Sequence, residues 1–182
     1  MNKFAGLILV LFLLACTTGN KIVHSKVDQA ASWTTYKTFR FLDLDASGDT
    51  LSADFYNRIG MLKDAITEEL NKAGLVNTDQ NPDLLVNIGI VVKKETQTRT
   101  ADFRFDGPRY MGQRNYTWKA EEIPVGIYRL GTAEIHLVDA RTSSLVWDGA
   151  IQGILPEKPS KARQAIHEGM TELFTKVPLP KQ

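Results

Sequence analysis

The feature that most constrains the fold is a pair of alternating segments, GTAEIHLVDA (131–140) and LVWDGAIQG (145–153), joined by a polar turn. Apolar residues recurring at a period of two are typical of strands with one buried face, and two such runs predict a β-hairpin. The face of this hairpin that meets the core is expected to carry Ile135, Leu137, Leu145, Trp147 and Ile151. A lone hairpin is only marginally stable in water, so other parts of the chain must cover that face.

Two segments with helical periodicity can supply the cover. The first has one apolar stripe, made of Phe55, Ile59, Leu62, Ile66 and Leu70. Gly74 suits the left-handed position that ends such a helix, and Leu75 can pack over the end as in a Schellman motif. The second stripe, before Pro178, consists of Ala162, Ile166, Met170, Leu173 and Val177. Both segments therefore predict amphipathic helices.

Two further segments predict strands, KTFRFLDLD (37–45) and LLVNIGIVV (84–92), the second with a continuous apolar face. The order of elements is strand, helix, strand, hairpin, helix. That order predicts the α+β class: a two-layer sandwich with a mainly antiparallel sheet and two amphipathic helices on one face.

The first fifteen residues are a short basic start and an apolar run that is too short to span a bilayer. Together with Cys16, the residues LLA resemble a bacterial lipobox, so residues 1–15 are predicted to be a lipoprotein signal peptide and Cys16 to carry acyl chains such as palmitate. An ordinary signal peptide cut elsewhere is the alternative. Residues 16–25 are expected to form a lipidated, flexible tether, and residues 26–182 a single α+β domain.

The composition narrows the classes of partner. A formal net charge of +1 does not create the positive electrostatic field that favours binding of nucleic acid. The predicted export from the cytoplasm is a second argument against a nucleic-acid partner. Because Cys16 is the only cysteine in the chain, no intrachain disulfide can form.

Residues 94–130 are expected to be an irregular excursion, because arginines and aromatic residues alternate there with Gly and Pro and without sustained periodicity. Candidate partner-binding residues are Arg109, Tyr110, Arg114 and Trp118. Arginine and aromatic side chains can bind a partner at a solvent-exposed surface through hydrogen bonds and stacking. They favour an envelope protein, a glycan or an anionic polymer as the partner. The equally weighted alternative is a hairpin whose aromatic residues fold over the sheet edge.

No catalytic residue is predicted, because the chain lacks a recognisable nucleophile motif. The four carboxylates of the excursion, Asp102, Asp106, Glu121 and Glu122, leave an envelope hydrolase as one alternative function. A small-molecule carrier is another, and it would need an apolar cavity of roughly 300–1,000 Å³.

No metal site and no cofactor beyond the lipid on Cys16 are predicted either. The three histidines, His24, His136 and His167, show no zinc-type spacing. His24 is expected to lie in the tether. His136 is expected on the less apolar face of its strand, and His167 on the solvent-exposed side of the last helix.

Several segments together resemble the bacterial lipoproteins grouped as domain of unknown function 4136. They are WTTYKTFRFLD, KAGL, NPDLLVNIGI and the whole hairpin, and the resemblance runs from about Val23 to Pro178. Where that family often has a basic residue after the hairpin tryptophan, this chain has Asp148. The resemblance implies a lipid-anchored envelope domain without an established catalytic activity. Thr17, where an Asp would resemble an inner-membrane retention signal, favours the outer membrane, with the domain on its periplasmic face acting as a non-enzymatic binding or scaffolding module.

Overall fold

A six-stranded sheet with two helices on one face is described by the computed structural model, which covers residues 19–42, 53–101 and 122–180. The elements are β1 (Lys21–Val27), β2 (Thr38–Phe41), α1 (Ala53–Lys72), β3 (Val76–Asn77), β4 (Leu84–Thr100), β5 (Glu122–Asp139), β6 (Ser144–Ile154) and α2 (Pro159–Phe174). A 3-10 turn, Trp33–Thr35, lies between β1 and β2. The predicted α+β two-layer sandwich is confirmed.

The strands lie in the order β1-β6-β5-β4-β2-β3. The pairs β1–β6, β6–β5 and β5–β4 are antiparallel, whereas β2 runs parallel to both β4 and β3. The long α1 helix makes the crossover between β2 and β3, as parallel neighbours require.

The core lies between the sheet and the helices. Its fully buried members come from both layers: Phe39, Ile66, Leu70, Leu84, Val86, Ile135, Leu137, Trp147, Met170 and Leu173. The Trp147 ring also packs beside Phe174 of α2, with centroids 5.7 Å apart, and its Nε1 donates to Ser25 Oγ at 3.0 Å. The predicted structural role of Trp147 is therefore confirmed.

The end of α1 follows the predicted Schellman geometry. Gly74 has a φ of 84°, the Leu75 amide donates to the Leu70 carbonyl at 3.0 Å, and the Gly74 amide donates to Asn71 at 2.9 Å. Leu75 is buried against the core. The left-handed backbone at position 74 is the reason that glycine is needed there.

The hairpin of β5 and β6 contains one irregularity that the sequence pattern did not predict. Leu137 pairs with Trp147 but Val138 pairs with Leu145, so Val146 is an extra residue in β6. This bulge shifts the phase of the strand by one residue. Val146 is consequently 3% exposed, while Leu145, predicted to face the core, is 49% exposed.

The predicted flexible tether of residues 16–25 is wrong from Lys21 onward. Residues 21–27 form the edge strand β1, which pairs with β6 from Gln152 to Trp147. A shift in register between Ile22 and His24 interrupts the alternation of apolar residues, which explains why the pattern did not reveal a strand. The folded domain therefore begins before residue 26.

The predicted irregular excursion is also wrong at both of its ends. Residues 94–100 continue β4 and residues 122–130 belong to β5, including the EEIPVG segment from Glu122 onward that was expected to be loop. We call the paired residues 91–100 and 122–132 the arm. Its alternation was missed because Thr, Lys and Arg replace apolar residues where two paired strands extend away from the core. The middle of the excursion, 102–121, lies outside the described residues.

Candidate functional site on the open face of the sheet

The helices cover one face of the sheet, and the other face carries polar side chains from four strands, β1, β6, β5 and β4. Side chains of residues that are paired across antiparallel strands point to the same face of the sheet. The pairings therefore line up the residues of this face in rows that run across the strands, and two neighbouring rows matter here. One row is Lys26, Asp148, His136 and Asn87, and the next is His24, Ala150, Glu134 and Gly89. The two rows place two histidines and two carboxylates side by side.

Four atoms of these side chains form a closed ring in which nitrogen and oxygen alternate. His24 Nε2 lies 2.9 Å from Asp148 Oδ1 and 3.9 Å from Glu134 Oε1. His136 Nε2 lies 3.6 Å from the same Asp148 oxygen and 3.4 Å from the same Glu134 oxygen. We call these four residues the His–carboxylate cluster.

Local features of the strands explain why the four side chains converge. The irregularity in β1 turns His24 towards the open face, opposite Ala150. Ala150, between His24 and Glu134 in its row, is small enough to let the two longer side chains meet above it. Asp148 is 16% exposed at its side chain and His136 is 32% exposed, so the cluster is half-buried and open to solvent on one side.

One further contact reaches the cluster from β4. The Asn87 amide nitrogen lies 3.5 Å from His136 Nδ1, the ring nitrogen that faces away from the carboxylates. Ser25, next to His24 in β1, has its hydroxyl on the core side, where it accepts from Trp147. The Ser25 hydroxyl therefore does not lie beside the His24 ring, where a histidine could activate it as a nucleophile.

The sequence contained part of this site. Glu134 and His136 alternate on one face of a predicted strand, and the alternation of the next strand puts Asp148 on the same face. The bulge at Val146 then sets Asp148 directly opposite His136. His24 could not be assigned, because it was expected in the tether; its pairing through β1 is a long-range property of the sheet. His167 lies elsewhere, on α2, where its Nε2 is 2.9 Å from Glu68 Oε2 of α1.

Most of the residues predicted as sites lie outside the described part of the chain. These are Cys16, Arg109, Tyr110, Arg114, Trp118, Asp102, Asp106 and Glu121. Glu122 begins β5 at the far end of the arm, is exposed, and accepts from Thr98 Oγ1 at 3.0 Å. The structure thus describes one of the four carboxylates considered for a hydrolase.

Two other aspartates have structural roles. Asp139, only 6% exposed, accepts from the amides of Arg141 and Thr142 in the hairpin turn and from the Tyr36 hydroxyl at 3.0 Å. Burial opposes ionisation of Asp139, but these hydrogen bonds outweigh it and lower its pKa. Burial and the bond to Asp139 raise the pKa of Tyr36 to about 12.

Asp83 ties the start of β4 to β2. Its Oδ2 accepts from the Lys37 amide at 2.8 Å and from the Thr38 amide and hydroxyl at 3.0 Å each. Burial again opposes ionisation, and the three hydrogen bonds hold the pKa of Asp83 below its usual value. Asp139 therefore stabilises the hairpin turn, and Asp83 stabilises the contact between β2 and the start of β4.

An apolar cleft lies between the base of the arm and the two helices. Phe55, Ile59, Ile90, Ile154, Ile166 and Met170 are among its lining residues, and its volume is about 90 Å³. Pockets that hold small-molecule ligands are usually roughly 300–1,000 Å³. Within the described ranges, this cleft gives no support to a carrier of such ligands.

These features define a class of protein: an α+β sandwich with one open, polar sheet face and a two-stranded arm. The chain belongs to the family described as Domain of unknown function (DUF4136), whose model matches residues 23–179. No curated protein sequence matches the chain.

Several solved structures are similar in fold. A PDZ domain protein from Parabacteroides distasonis ATCC 8503 is 17% identical with a TM-score of 0.48, covering 85% of this chain and 37% of that one. A PelC dodecamer from Paraburkholderia phytofirmans is 12% identical with a TM-score of 0.46, covering 90% and 99%. A minor lipoprotein from Acinetobacter baumannii is 10% identical with a TM-score of 0.33, covering 81% and 98%. At such identities and TM-scores no function is transferred to this chain.

Proposed function

We propose that this protein is a lipid-anchored lipoprotein of the bacterial cell envelope that acts by binding a partner protein and not as an enzyme. The lipobox-like sequence before Cys16 supports the anchor. Among the helices of the described residues, none is long and apolar enough to cross a membrane. The proposed location is the outer membrane, with the domain on the periplasmic face.

The observation that carries the binding function is the arm. A two-stranded ribbon is only marginally stable without packing partners, and the outer half of this arm is exposed on both strands. Ile127 is 76% exposed and Val125 is 49% exposed. Exposed apolar side chains gain free energy when a protein surface covers them, at roughly 25 cal/mol per Å².

The residues between the two strands of the arm include the arginine and aromatic candidates Arg109, Tyr110, Arg114 and Trp118. We propose that these residues contribute to binding the same partner as the arm. Apolar side chains on the arm favour an envelope protein as the partner over a glycan or an anionic polymer.

Site-specific photo-crosslinking in cells tests the binding surface. A photoreactive residue at Ile127 should crosslink to a discrete partner, and replacing Arg109, Tyr110, Arg114 and Trp118 with Ala should abolish that product. The matched control is the same photoreactive residue at Tyr56, an exposed position on α1. Identical products from both positions, or products unchanged by the four substitutions, would contradict the proposal.

Fractionation tests the anchor and the location separately. Cys16→Ser should remove acyl labelling and release the protein from membranes. Thr17→Asp should leave acylation intact and move the protein to the inner membrane. Acylation that persists in Cys16→Ser would show that another site is modified, and unchanged sorting of Thr17→Asp would refute the outer-membrane assignment.

A further inference from the structure

The geometry points to a metal site: we infer that the His–carboxylate cluster binds a divalent transition-metal ion of the class that prefers imidazole and carboxylate ligands, with Zn²⁺ and Cu²⁺ as the candidates. The site lies on the open sheet face and is independent of the proposed lipid anchor and of the arm. Its ligands are His24, His136, Glu134 and Asp148.

The separations of the ligand atoms match what such an ion needs. Nitrogen and oxygen ligands lie about 2.0–2.2 Å from Zn²⁺, so neighbouring ligands of a tetrahedral ion are about 3.4 Å apart. The four nitrogen–oxygen separations here are 2.9, 3.4, 3.6 and 3.9 Å. The ligand atoms of His24, Glu134 and Asp148 all lie within 4.8 Å of one another. In the proposed site these three residues are the first ligands, and His136, 3.4 and 3.6 Å from the two carboxylate oxygens, moves in as the fourth.

The charges of the cluster also favour a cation. The Glu134 and Asp148 carboxylate oxygens lie within 4.8 Å of each other, and like charges at that distance repel. The hydrogen bond between His24 Nε2 and Asp148 Oδ1 offsets this repulsion in part. A divalent ion at the centre would neutralise both carboxylates and bind the lone pairs of the two imidazoles. Protons can balance the two carboxylates only if both imidazole rings are positively charged.

The set of ligands selects the class of metal. Two imidazoles with two carboxylates suit zinc or copper, whereas magnesium and calcium prefer oxygen ligands alone. For ligands of this type, affinity among the first-row divalent ions peaks at Cu²⁺.

The surroundings provide both orientation and access. A histidine that ligates a metal usually donates its other ring N–H to a neighbouring acceptor, and Asn87 lies 3.5 Å from His136 Nδ1. A 180° rotation of the Asn87 amide places its oxygen there as the acceptor. The Glu134 side chain is 46% exposed and His24 is 33% exposed, so an ion can enter from solvent.

The test is metal binding by the full-length protein, purified in detergent without a histidine tag and treated with a chelator. Isothermal titration with Zn²⁺, Cu²⁺, Mg²⁺ and Ca²⁺ should show one site per chain for Zn²⁺ or Cu²⁺ and none for Mg²⁺ or Ca²⁺. Replacing the metal with Co²⁺ should give visible absorption bands of a nitrogen and oxygen site.

Variants locate the site. His24→Gln with His136→Gln, or Glu134→Gln with Asp148→Asn, should weaken binding by more than the ~10–100-fold that is typical when an outer-shell partner is lost. Asn87→Leu should weaken it within that smaller range. The matched control is His167→Gln, which should leave metal binding unchanged. It breaks the pair of His167 and Glu68 on the helices, whose 2.9 Å separation equals that of His24 and Asp148 in the cluster.

The opposite results overturn the inference. A chain that binds neither Zn²⁺ nor Cu²⁺ more tightly than the double-histidine variant has only a hydrogen-bonded surface network at this position. Binding lost in His167→Gln but kept in the cluster variants would place the metal on the helices. Circular dichroism of each variant verifies folding, and the substituted side chains are exposed or half-buried and are replaced by side chains of similar size.

Discussion

The buried hydrogen bond between Tyr36 and Asp139 links the stability of the fold to alkaline pH. Tyr36 is 3% exposed, and its hydroxyl donates to Asp139 Oδ2 at 3.0 Å. Burial, then this hydrogen bond and the charge of Asp139, raise the pKa of Tyr36 from 10.0 to about 12. Between those values the unfolded chain loses the proton and the folded chain keeps it. The free energy of unfolding therefore falls as the pH rises from 10 to 12.

The size of the effect follows from the same pKa values. A change of one in pKa corresponds to about 1.4 kcal/mol, so the folded chain loses roughly 3 kcal/mol through Tyr36 over the whole titration, and about 2 kcal/mol of this loss falls between pH 10 and 12. Tyr36→Phe removes this titration together with a hydrogen bond to a charged group. At pH 7 the variant should be less stable than the wild type by about 1.5–3 kcal/mol. That difference should narrow by about 1 kcal/mol between pH 10 and 11.

Urea denaturation followed by circular dichroism at pH 7, 9, 10 and 11 measures both quantities. The control is Tyr56→Phe, which changes an exposed tyrosine on α1 and should follow the wild type within about 0.5 kcal/mol at every pH. A stability difference between Tyr36→Phe and wild type that stays constant up to pH 11 would refute the argument, because it would show that Tyr36 titrates alike in both states.

Three further predictions test other parts of the fold by the same denaturation assay. Val146→Ala should cost about 2 kcal/mol and Leu145→Ala no more than about 0.5 kcal/mol, and the reverse order would contradict the bulge in β6. Gly74→Ala should cost about 1–2 kcal/mol because φ at this position is 84°; a neutral effect would mean that α1 ends differently. Asp83→Asn should remove part of the acid sensitivity of the wild type: with a lowered pKa, Asp83 stabilises the fold above about pH 4 and loses that contribution as the pH falls through its folded pKa. Asp79→Asn, at an exposed position, is the control, and equal acid profiles for both variants would refute the role of Asp83.

The parts of the fold that depend on local periodicity could be predicted from the sequence. The stripe from Ile59 to Leu70 identified α1, and the alternation around Ile135 and Leu137 identified β5, because burial of one face imposes those periods. The Schellman end at Gly74 was predictable for a similar reason, since one residue type fits the required backbone.

The features that the sequence did not reveal depend on pairing between distant segments. β1 has a bulge and few apolar residues, so only its hydrogen bonds to β6 identify it as a strand. The outer arm carries exposed polar and apolar residues without a regular period of two, so the pattern did not identify it as a pair of strands. The bulge at Val146 moved Leu145 to the open face, a change of phase that an ideal period of two does not predict.

The candidate site follows the same division. Glu134, His136 and Asp148 belong to the predicted hairpin, and their common face could be derived from its register. His24 joins them across a pairing of residues more than a hundred positions apart in the chain. A search for ligands at short sequence spacing therefore could not find the full cluster.

The position of β1 at the edge of the sheet has a mechanical consequence. A pull on the residues before Lys21 is transmitted to β1, and the first pair of the β1–β6 ladder that it meets is Lys21–Gln152. Traction perpendicular to the sheet edge would open these bonds one after another, whereas traction along the strand would load them together. His24, which contacts Asp148 of β6, is the third residue after Lys21 in β1. An ion bound by these two residues would therefore resist the detachment of β1 from the sheet.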